Sequence, residues 1–554
     1  MPLVKTPLVQ KTKNMAAAIT PSLLWISATF ILYGFQLTGG WRFDDFHHLL
    51  FLTQHQSFEY TYLPEAIRLQ SGAHYTPFNI LTYDLAHRLF PLNYPSGFYA
   101  LHLMLLGLAC AALYSALSRS LPVWASILGA SAFLIGFPTS GISAQLMTGH
   151  YVIGFIFSGL FLYHYERSTR QRTPLTLSIL FYFLACASKE IFAPLIAIIA
   201  IDPRRSLNQR IRLTLLYFFA LAAYIILRSL MIGQTIGGYN DGFGNAIPHA
   251  IQTIISGIIA HYTSTNSGIL LGLISLIVVS HAATSSIYNH GLRATLLIAA
   301  GLFAVIVVPL IPVANQVSPN SPTEIRLMTL YWWLFAIISA ISTSIAARQW
   351  GKTSATIYGL IIIASIAWNT KNHIDHGQLS AINKKFDAYS EYALDQKNCH
   401  LIDDMGWSSA LADLQTAIYP DRKRSIVAPI EIIQTLGKPG DAICKLENGE
   451  ITQTGFIDKA KPCDTNARLG AKLHFNGSHI TFNFESDETD PWYYIEVPDQ
   501  YMLKLHDGLK GPWPNHDRLQ TFRVLKITSS GNVTCSPMLH FKPDASPELT
   551  WRRP

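Results

Sequence analysis

Two adjacent carboxylates, Asp44 and Asp45, are the residues of this chain best suited to chemistry. They stand in residues 41–48 (WRFDDFHH), just after a long apolar run. Carboxylates beside lipid are costly to bury unless they face water, a metal ion, a cation or a substrate hydroxyl. The pair therefore predicts a reactive site at the mouth of a membrane span. The alternative is an exposed loop in which an aspartate caps the following helix.

A second group of charged residues interrupts apolar segments further along the chain. Lys189 and Glu190 separate two short apolar runs, Arg228 falls in the last turns of another run, and Arg326 opens a later one. A charge in the centre of the hydrocarbon costs about 2.5–3.5 kcal/mol on insertion scales, so each needs a partner or water. These residues predict an anion-binding pocket. An ion pair between Lys189 and Glu190 and arginines that reach the headgroups would produce the same pattern.

Composition and hydropathy place both groups in a membrane protein. The chain has 554 residues, of which 50% are hydrophobic and 14% are charged, and its mean hydropathy is +0.25. Nearly all long apolar runs lie in residues 16–368, whereas the remainder has mixed polarity. We therefore predict a membrane domain over residues 1–369 and a soluble domain over residues 370–554. Basic loops account for the net charge of +7, so no nucleic-acid partner is predicted.

The membrane domain is predicted to contain about eleven spans, several of them shorter than the ~20 residues that a helix needs to cross a bilayer. Lysines and arginines concentrate in alternate loops, which places those loops in the cytoplasm. The loops that hold Asp44, Asp45, Lys189 and Glu190 then lie on the opposite face, as does the C-terminal domain. The predicted spans are 17–37, 97–117, 122–138, 150–165, 174–188, 191–201, 213–232, 267–281, 292–312, 327–347 and 354–369.

The C-terminal region is predicted to be a small extracytoplasmic domain with an α+β or α/β fold. Alternating polarity indicates strands in residues 472–484 and 492–497, and apolar periodicity indicates helices at 408–419 and 429–436. An even number of cysteines suits two disulfides in an oxidising compartment, although the spacing leaves the pairing open. These cysteines are Cys399, Cys444, Cys463 and Cys535.

The order of the motifs resembles the GT-C superfamily of polyprenyl-phosphate-sugar-dependent glycosyltransferases, and especially the membrane part of protein O-mannosyltransferases. The resemblance covers roughly residues 17–345, and no tetratricopeptide repeats follow it, which leaves the acceptor open. The segments that carry the resemblance are 43–47 (FDDFH), 74–84 (HYTPFNILTYD), 92–102 (LNYPSGFYALH), 187–190 (ASKE), 227–233 (LRSLMIG) and 324–327 (EIRL).

This resemblance implies an inverting, single-displacement sugar transfer. Asp44 matches the family's catalytic aspartate and would accept the proton of the acceptor hydroxyl. Asp45 would position the acceptor or bind a divalent metal, and the resemblance leaves the metal open because relatives differ in metal use. The donor phosphate would be bound by Arg326, Arg228 and Lys189. Further candidates for the site are Glu190, His47, His74, Tyr75 and Glu324.

The implied partners are a polyprenyl-phosphate-linked sugar as donor and a protein, lipid or glycan hydroxyl as acceptor. The expected location is a bacterial inner membrane, with the C-terminal domain in the periplasm. No phosphate-cradling glycine-rich loop follows a strand, so a nucleotide donor is not predicted. The competing hypotheses are a non-catalytic envelope scaffold and a transporter or flippase of a lipid-linked or anionic solute. A transporter predicts an internal repeat, and the sequence contains no clear one.

Overall fold

A computed structural model of the protein separates into two compact units, and each is described by itself. The first unit comprises Met1–Gly39, Ala73–Leu89 and Ser96–Ile382, and the second comprises the remainder. The described residues are 7–54, 56, 58–64, 66–67, 74–168, 172–233, 246–263, 265–313, 326, 328–376, 378–394, 399–402, 426–447, 450–459, 461–463, 469–475, 479–485, 492–497, 501–505, 510–512, 520–527, 532–542 and 548–552.

Helices dominate the described part of the first unit. The second unit holds α2, α3, most of α16, and α17. The helices are α1 (Pro7–Tyr33), α2 (Asp45–Gln54), α3 (Glu59–Tyr62), α4 (Pro77–Leu89), α5 (Pro95–Leu117), α6 (Val123–Ile135), α7 (Phe137–Ser143), α8 (Gly149–Arg167), α9 (Arg172–Ser188), α10 (Ile196–Ala200), α11 (Leu207–Ile232), α12 (Ala246–Thr263), α13 (Asn266–Val307), α14 (Thr329–Trp350), α15 (Lys352–His376), α16 (Gln378–Leu394) and α17 (Ile430–Leu436).

Six helices in the described part of the chain are long and apolar enough to cross a membrane. They are α5, α8 with the 3-10 turn before it, α11, α13, α14 and α15, and the bent pair α6–α7 makes a seventh if it counts as one span. Helix α13 breaks at Gly291, between the spans predicted at 267–281 and 292–312. These helices indicate a membrane protein, as predicted. The number of eleven spans stays a prediction, because α9 and the helix after it are shorter than a bilayer requires.

Helix α11 shows how the sequence places a buried cation. The Ser206 hydroxyl accepts a hydrogen bond from the Gln209 amide, and the Gln209 side chain accepts one from the Ser206 amide, which fixes the first turn. Gly233 ends the helix with a φ of +84°, a conformation that glycine adopts without strain. Large apolar side chains such as Phe219 are exposed on its outer face, as suits contact with lipid. Arg228 is instead buried, near the end of the helix.

Strands form the rest of the second unit, in three sheets. Their orders are β2-β1-β3-β4, β11-β10-β7-β8 with β12 also paired to β10, and β13-β5-β6-β9. The strands are β1 (Cys399–Ile402), β2 (Val427–Ala428), β3 (Ala442–Glu447), β4 (Glu450–Phe456), β5 (Gly470–Phe475), β6 (His479–Glu485), β7 (Trp492–Val497), β8 (Tyr501–Leu505), β9 (Lys510–Pro512), β10 (Gln520–Ile527), β11 (Val533–Cys535), β12 (Leu539–Phe541) and β13 (Glu548–Arg552).

Two apolar cores hold these sheets together. The second and third sheets share one core, in which the rings of Phe484 and Tyr493 stack with their centroids 4.1 Å apart. The opposite face of the second sheet packs with α17 and the first sheet. The strands predicted at 472–484 and 492–497 and the helix at 429–436 are confirmed. The helix predicted at 408–419 lies outside the described residues.

The four cysteines of this unit form two disulfides, as predicted. Cys399 on β1 is bonded to Cys444 on the neighbouring strand β3. Cys463 is bonded to Cys535 on β11. The remaining cysteines, Cys110 and Cys186, are buried in the first unit as free thiols.

Candidate active site

The acidic loop, which we define as residues 40–46, separates the roles of its two carboxylates. Asp45 is the first residue of α2 and is fully buried, and its Oδ2 accepts a hydrogen bond of 2.8 Å from the Arg42 amide. Asp44 is exposed. Asp45 therefore closes the turn that begins α2, whereas Asp44 presents its carboxylate to the surroundings. The prediction that Asp45 positions an acceptor or binds a metal is untested.

The backbone before Asp44 is strained. Phe43 has a φ of +52°, and among the described residues it is the one residue other than glycine with a positive φ. For a bulky side chain this conformation costs about 1–2 kcal/mol. Such strain persists where surrounding contacts fix the backbone, and it concentrates at functional sites. Its position next to Asp44 supports a functional role for the loop.

Two histidines follow the acidic pair on α2. His47 is exposed, as Asp44 is, and stands three residues later in the first turn. His48 is partly buried, and its amide donates a hydrogen bond of 3.2 Å to the carbonyl of Asp44. Burial lowers the pKa of His48 to about 4, although the charge of Asp44 opposes this change. His48 is therefore neutral at pH 7, and His47 is the histidine that shares the exposed side with Asp44.

A charged cluster in the first unit gathers residues that are distant in the sequence. Lys189 has an extended backbone between α9 and the 3-10 helix Glu190–Leu195, so the chain breaks where the sequence predicts. Nδ1 of His74 lies 2.5 Å from Oε1 of Glu190, across 116 positions. Nζ of Lys189 lies 4.0 Å from the same oxygen and 5.9 Å from the ring centroid of Tyr151. The break between the two helices therefore brings Lys189 and Glu190 close to each other and to His74.

The charges in this cluster settle its protonation at neutral pH. Burial alone would raise the pKa of Glu190, but the charge of Lys189 and the hydrogen bond from His74 bring that pKa well below its usual value. Burial also lowers the pKa of His74, and the charge of Lys189 lowers it further. Glu190 is therefore a carboxylate that accepts a hydrogen bond from a neutral His74.

Two arginines complete the cluster. Arg228 is 4% exposed and acts electrostatically on both Glu190 and His74. Arg326 is partly buried, and its Nη1 lies 3.8 Å from Sδ of Met147, in the turn that precedes α8. Lys189, Arg228 and Arg326 thus reach this cluster from three separate segments. Tyr75, which follows His74, is buried.

The sequence predicts this cluster only in part. His150 at the start of α8 lies near enough to Lys189 and Arg326 for both charges to act on it. The side-chain amide of Gln145, Nδ1 of His150 and Oε2 of Glu190 are buried with no hydrogen-bond partner among the described residues. Buried polar atoms are nearly always paired, so these atoms mark a place where water or a ligand completes the bonding. Gln145 is an uncharged residue of a predicted loop and His150 is the first residue of the span predicted at 150–165, and nothing in their spacing distinguishes them.

The predicted site residues fall into both units. Asp44, Asp45 and His47 belong to the second unit, and the charged cluster belongs to the first. Their meeting in one pocket stays a prediction. Glu324 lies outside the described residues. No group of three or more histidine, cysteine, aspartate or glutamate residues in the described part of the chain is arranged to hold a metal ion, so Asp44 and Asp45 have no third such ligand there.

The fold and these residues define a largely helical membrane protein with a strand-containing C-terminal region, an exposed aspartate on a strained loop, and a buried charged cluster. Comparisons with protein-family models, with curated proteins and with solved structures give no match. Its function is therefore argued from the site alone.

Proposed function

We propose that this chain is a membrane glycosyltransferase that moves a monosaccharide from a polyprenyl-phosphate carrier to a hydroxyl acceptor. The observation that carries the proposal is the convergence of Lys189, Arg228 and Arg326 on one buried cluster. Cations are expensive to collect in an apolar helical unit. Such a cluster would stabilise a phosphate leaving group, because the negative charge that grows on the phosphate during the reaction needs preorganised positive charges.

The exposed carboxylate of Asp44 supplies the base for this reaction. It accepts the proton of the acceptor hydroxyl while that oxygen forms a bond to the anomeric carbon of the sugar. The bond between the anomeric carbon and the phosphate oxygen breaks, and its electron pair leaves with the polyprenyl phosphate. Attack from the face opposite the phosphate inverts the anomeric centre, and one general base is sufficient for it. Asp44 is better suited to act as the base than Asp45, because the carboxylate of Asp45 is buried and already accepts a hydrogen bond from the Arg42 amide.

The proposed orientation keeps the eleven-span topology and the GT-C-like architecture that the sequence predicts. It places the acidic loop, the charged cluster and the C-terminal domain on the outer side of a bacterial inner membrane. The disulfides Cys399–Cys444 and Cys463–Cys535 support an oxidising location for that domain. The acceptor is a hydroxyl group of a protein, a lipid or a glycan on the same side.

Mass spectrometry of envelope material tests the proposed activity. We expect one class of envelope protein, glycolipid or polysaccharide to lose a single monosaccharide increment in cells without the chain, and to regain it when the chain is restored. Identical envelope material in both kinds of cell would reject the proposal. Loss of an entire solute from the outer side, rather than of one sugar, would favour the transporter hypothesis.

Cysteine labelling tests whether the two groups share one side of the membrane. The variants His47→Cys and Arg326→Cys should both react with a membrane-impermeant thiol reagent added outside. The native cysteines give little background, because four are in disulfides and two are buried. Lys352→Cys, in a predicted cytoplasmic loop, should react only after the membrane is permeabilised. Reaction of residues 47 and 326 from opposite sides would rule out a shared pocket.

A further inference from the structure

Helix α16, at the start of the C-terminal region, supplies the hydrogen-bond partners of the acidic loop. Oδ1 of Asp387 accepts a hydrogen bond of 2.9 Å from the Gly40 amide. The Ser390 hydroxyl, which is fully buried, accepts one of 2.8 Å from the Trp41 amide. Two successive amides of the loop are therefore bonded to side chains one turn apart on a single helix.

An ion pair joins the same two segments. Nε of Arg42 lies 2.6 Å from Oδ1 of Asp387, and Nη2 lies 2.7 Å from Oδ2, so the contact has the two-bond geometry of the strongest arginine–carboxylate pairs. The Arg42 side chain is 5% exposed and that of Asp387 is 32% exposed. The amide of Arg42 in turn donates to Asp45. Asp387 is thereby connected to both ends of the turn that contains Asp44.

Close packing adds to these bonds. A Cβ atom at Gly40 would lie 2.5 Å from Cβ of Ser390, so the approach of loop to helix requires a glycine. The ring of Phe386 packs on that of the strained Phe43, with centroids 4.4 Å apart. It also lies 6.1 Å from the ring of Phe46. The residues on either side of the acidic pair are thus held by the same helix that binds the loop backbone.

We propose that Asp387 is a positioning residue for Asp44, and that the C-terminal region sets the working conformation of the acidic loop through α16. This inference rests on the proposed function, in which the orientation of the Asp44 carboxylate matters because that carboxylate is the base. A positive φ at Phe43 needs surrounding contacts to hold it, and α16 provides them. Asp387 acts through the loop and does not itself touch the reacting atoms.

Replacement of Asp387 in the full-length chain tests this inference. Asp387→Ala removes the acceptor of the Gly40 amide and the partner of Arg42, so the loop loses its fixed geometry. We expect kcat for sugar transfer to fall about 10- to 100-fold. KM for the carrier-linked sugar, supplied as a lipid extract of the same cells, should stay within about threefold, because the cluster proposed to bind it lies in another unit. Hydrogen exchange of peptides covering residues 40–46 should become faster.

Matched variants on α16 separate positioning from loss of fold. Asp387→Asn keeps one oxygen, which can accept the bonds from the Gly40 amide and Arg42 Nε but not the bond from Nη2, and should regain part of the lost kcat. Glu391→Ala, which changes an exposed residue of the same helix, should match wild type. If Asp387→Ala fails to fold, Ser390→Ala deletes only the bond to Trp41 and should lower kcat at least about threefold.

The outcomes also separate this inference from the proposed function. Suppose that Asp44→Asn abolishes transfer, while Asp387→Ala and Ser390→Ala keep both the wild-type kcat and the wild-type rate of hydrogen exchange in residues 40–46. The positioning role is then wrong, and the enzyme assignment stands. If Asp44→Asn transfers sugar normally, the assignment of the base is wrong whatever Asp387 does. A fall in kcat with Glu391→Ala as large as that with Asp387→Ala would overturn the inference, because the effect would then not be specific to the loop contact.

Discussion

Asp44→Asn is expected to lower sugar transfer by about 10²- to 10⁴-fold, the usual effect of removing a general base. The amide has nearly the shape of the carboxylate but cannot take the proton of the acceptor hydroxyl. Asp44 is exposed, and no side chain in the described part of the chain donates a hydrogen bond to it, so the fold should survive. The measurement is the initial rate at which the missing monosaccharide increment appears in membranes from cells that express the variant.

Donor binding distinguishes a lost base from a damaged site. Asp44→Asn should retain the carrier-linked sugar as well as wild type does, since that binding is assigned to the charged cluster of the first unit. Asp458→Asn changes another exposed carboxylate of the second unit and serves as the control, with transfer at the wild-type rate. Normal transfer by Asp44→Asn would remove Asp44 from the chemistry.

Most charged residues of the cluster were predictable from the sequence, because they interrupt or border apolar segments. Lysine, glutamate and arginine are rare inside apolar segments, since each costs free energy there. The sequence therefore marks Lys189, Glu190 and Arg228 without any knowledge of the fold. His74, which contacts Glu190 from 116 positions away, was a predicted site candidate because it opens segment 74–84 of the family resemblance. Neutral members such as Gln145 and His150 carry no comparable cost, and only the structure reveals them.

The support of the acidic loop was not predictable in the same way. Asp387 lies 345 positions from Arg42, in a helix whose pattern is that of an ordinary amphipathic segment. Pairing between loop amides and distant side chains depends on where the chain returns, which neither periodicity nor spacing records. Apart from the family resemblance, nothing in the residue types or their spacing distinguishes Asp44 from Asp45. Only the structure reveals their difference in exposure and the positive φ of the neighbouring Phe43, a conformation that a phenylalanine does not predict.

Lys189→Met is expected to lower transfer by about 10²- to 10³-fold, as removal of one preorganised group that stabilises a transition-state charge does. Lys189 is 5% exposed and lies beside the carboxylate of Glu190. Two explanations compete for this residue. It could stabilise the phosphate that leaves the sugar, or it could form an ion pair that only holds the break between α9 and the following 3-10 helix.

A double-mutant cycle with Glu190→Gln decides between them. Removal of one partner of a buried ion pair destabilises a protein strongly, whereas removal of both charges is often nearly neutral. The double variant Lys189→Met/Glu190→Gln should therefore recover the thermal stability that Lys189→Met loses, and glutamine at position 190 can still accept the hydrogen bond from His74. Its transfer rate should remain as low as that of Lys189→Met, because the cation is still missing. Recovery of transfer together with stability would identify the pair as structural and would leave Arg228 and Arg326 to bind the phosphate.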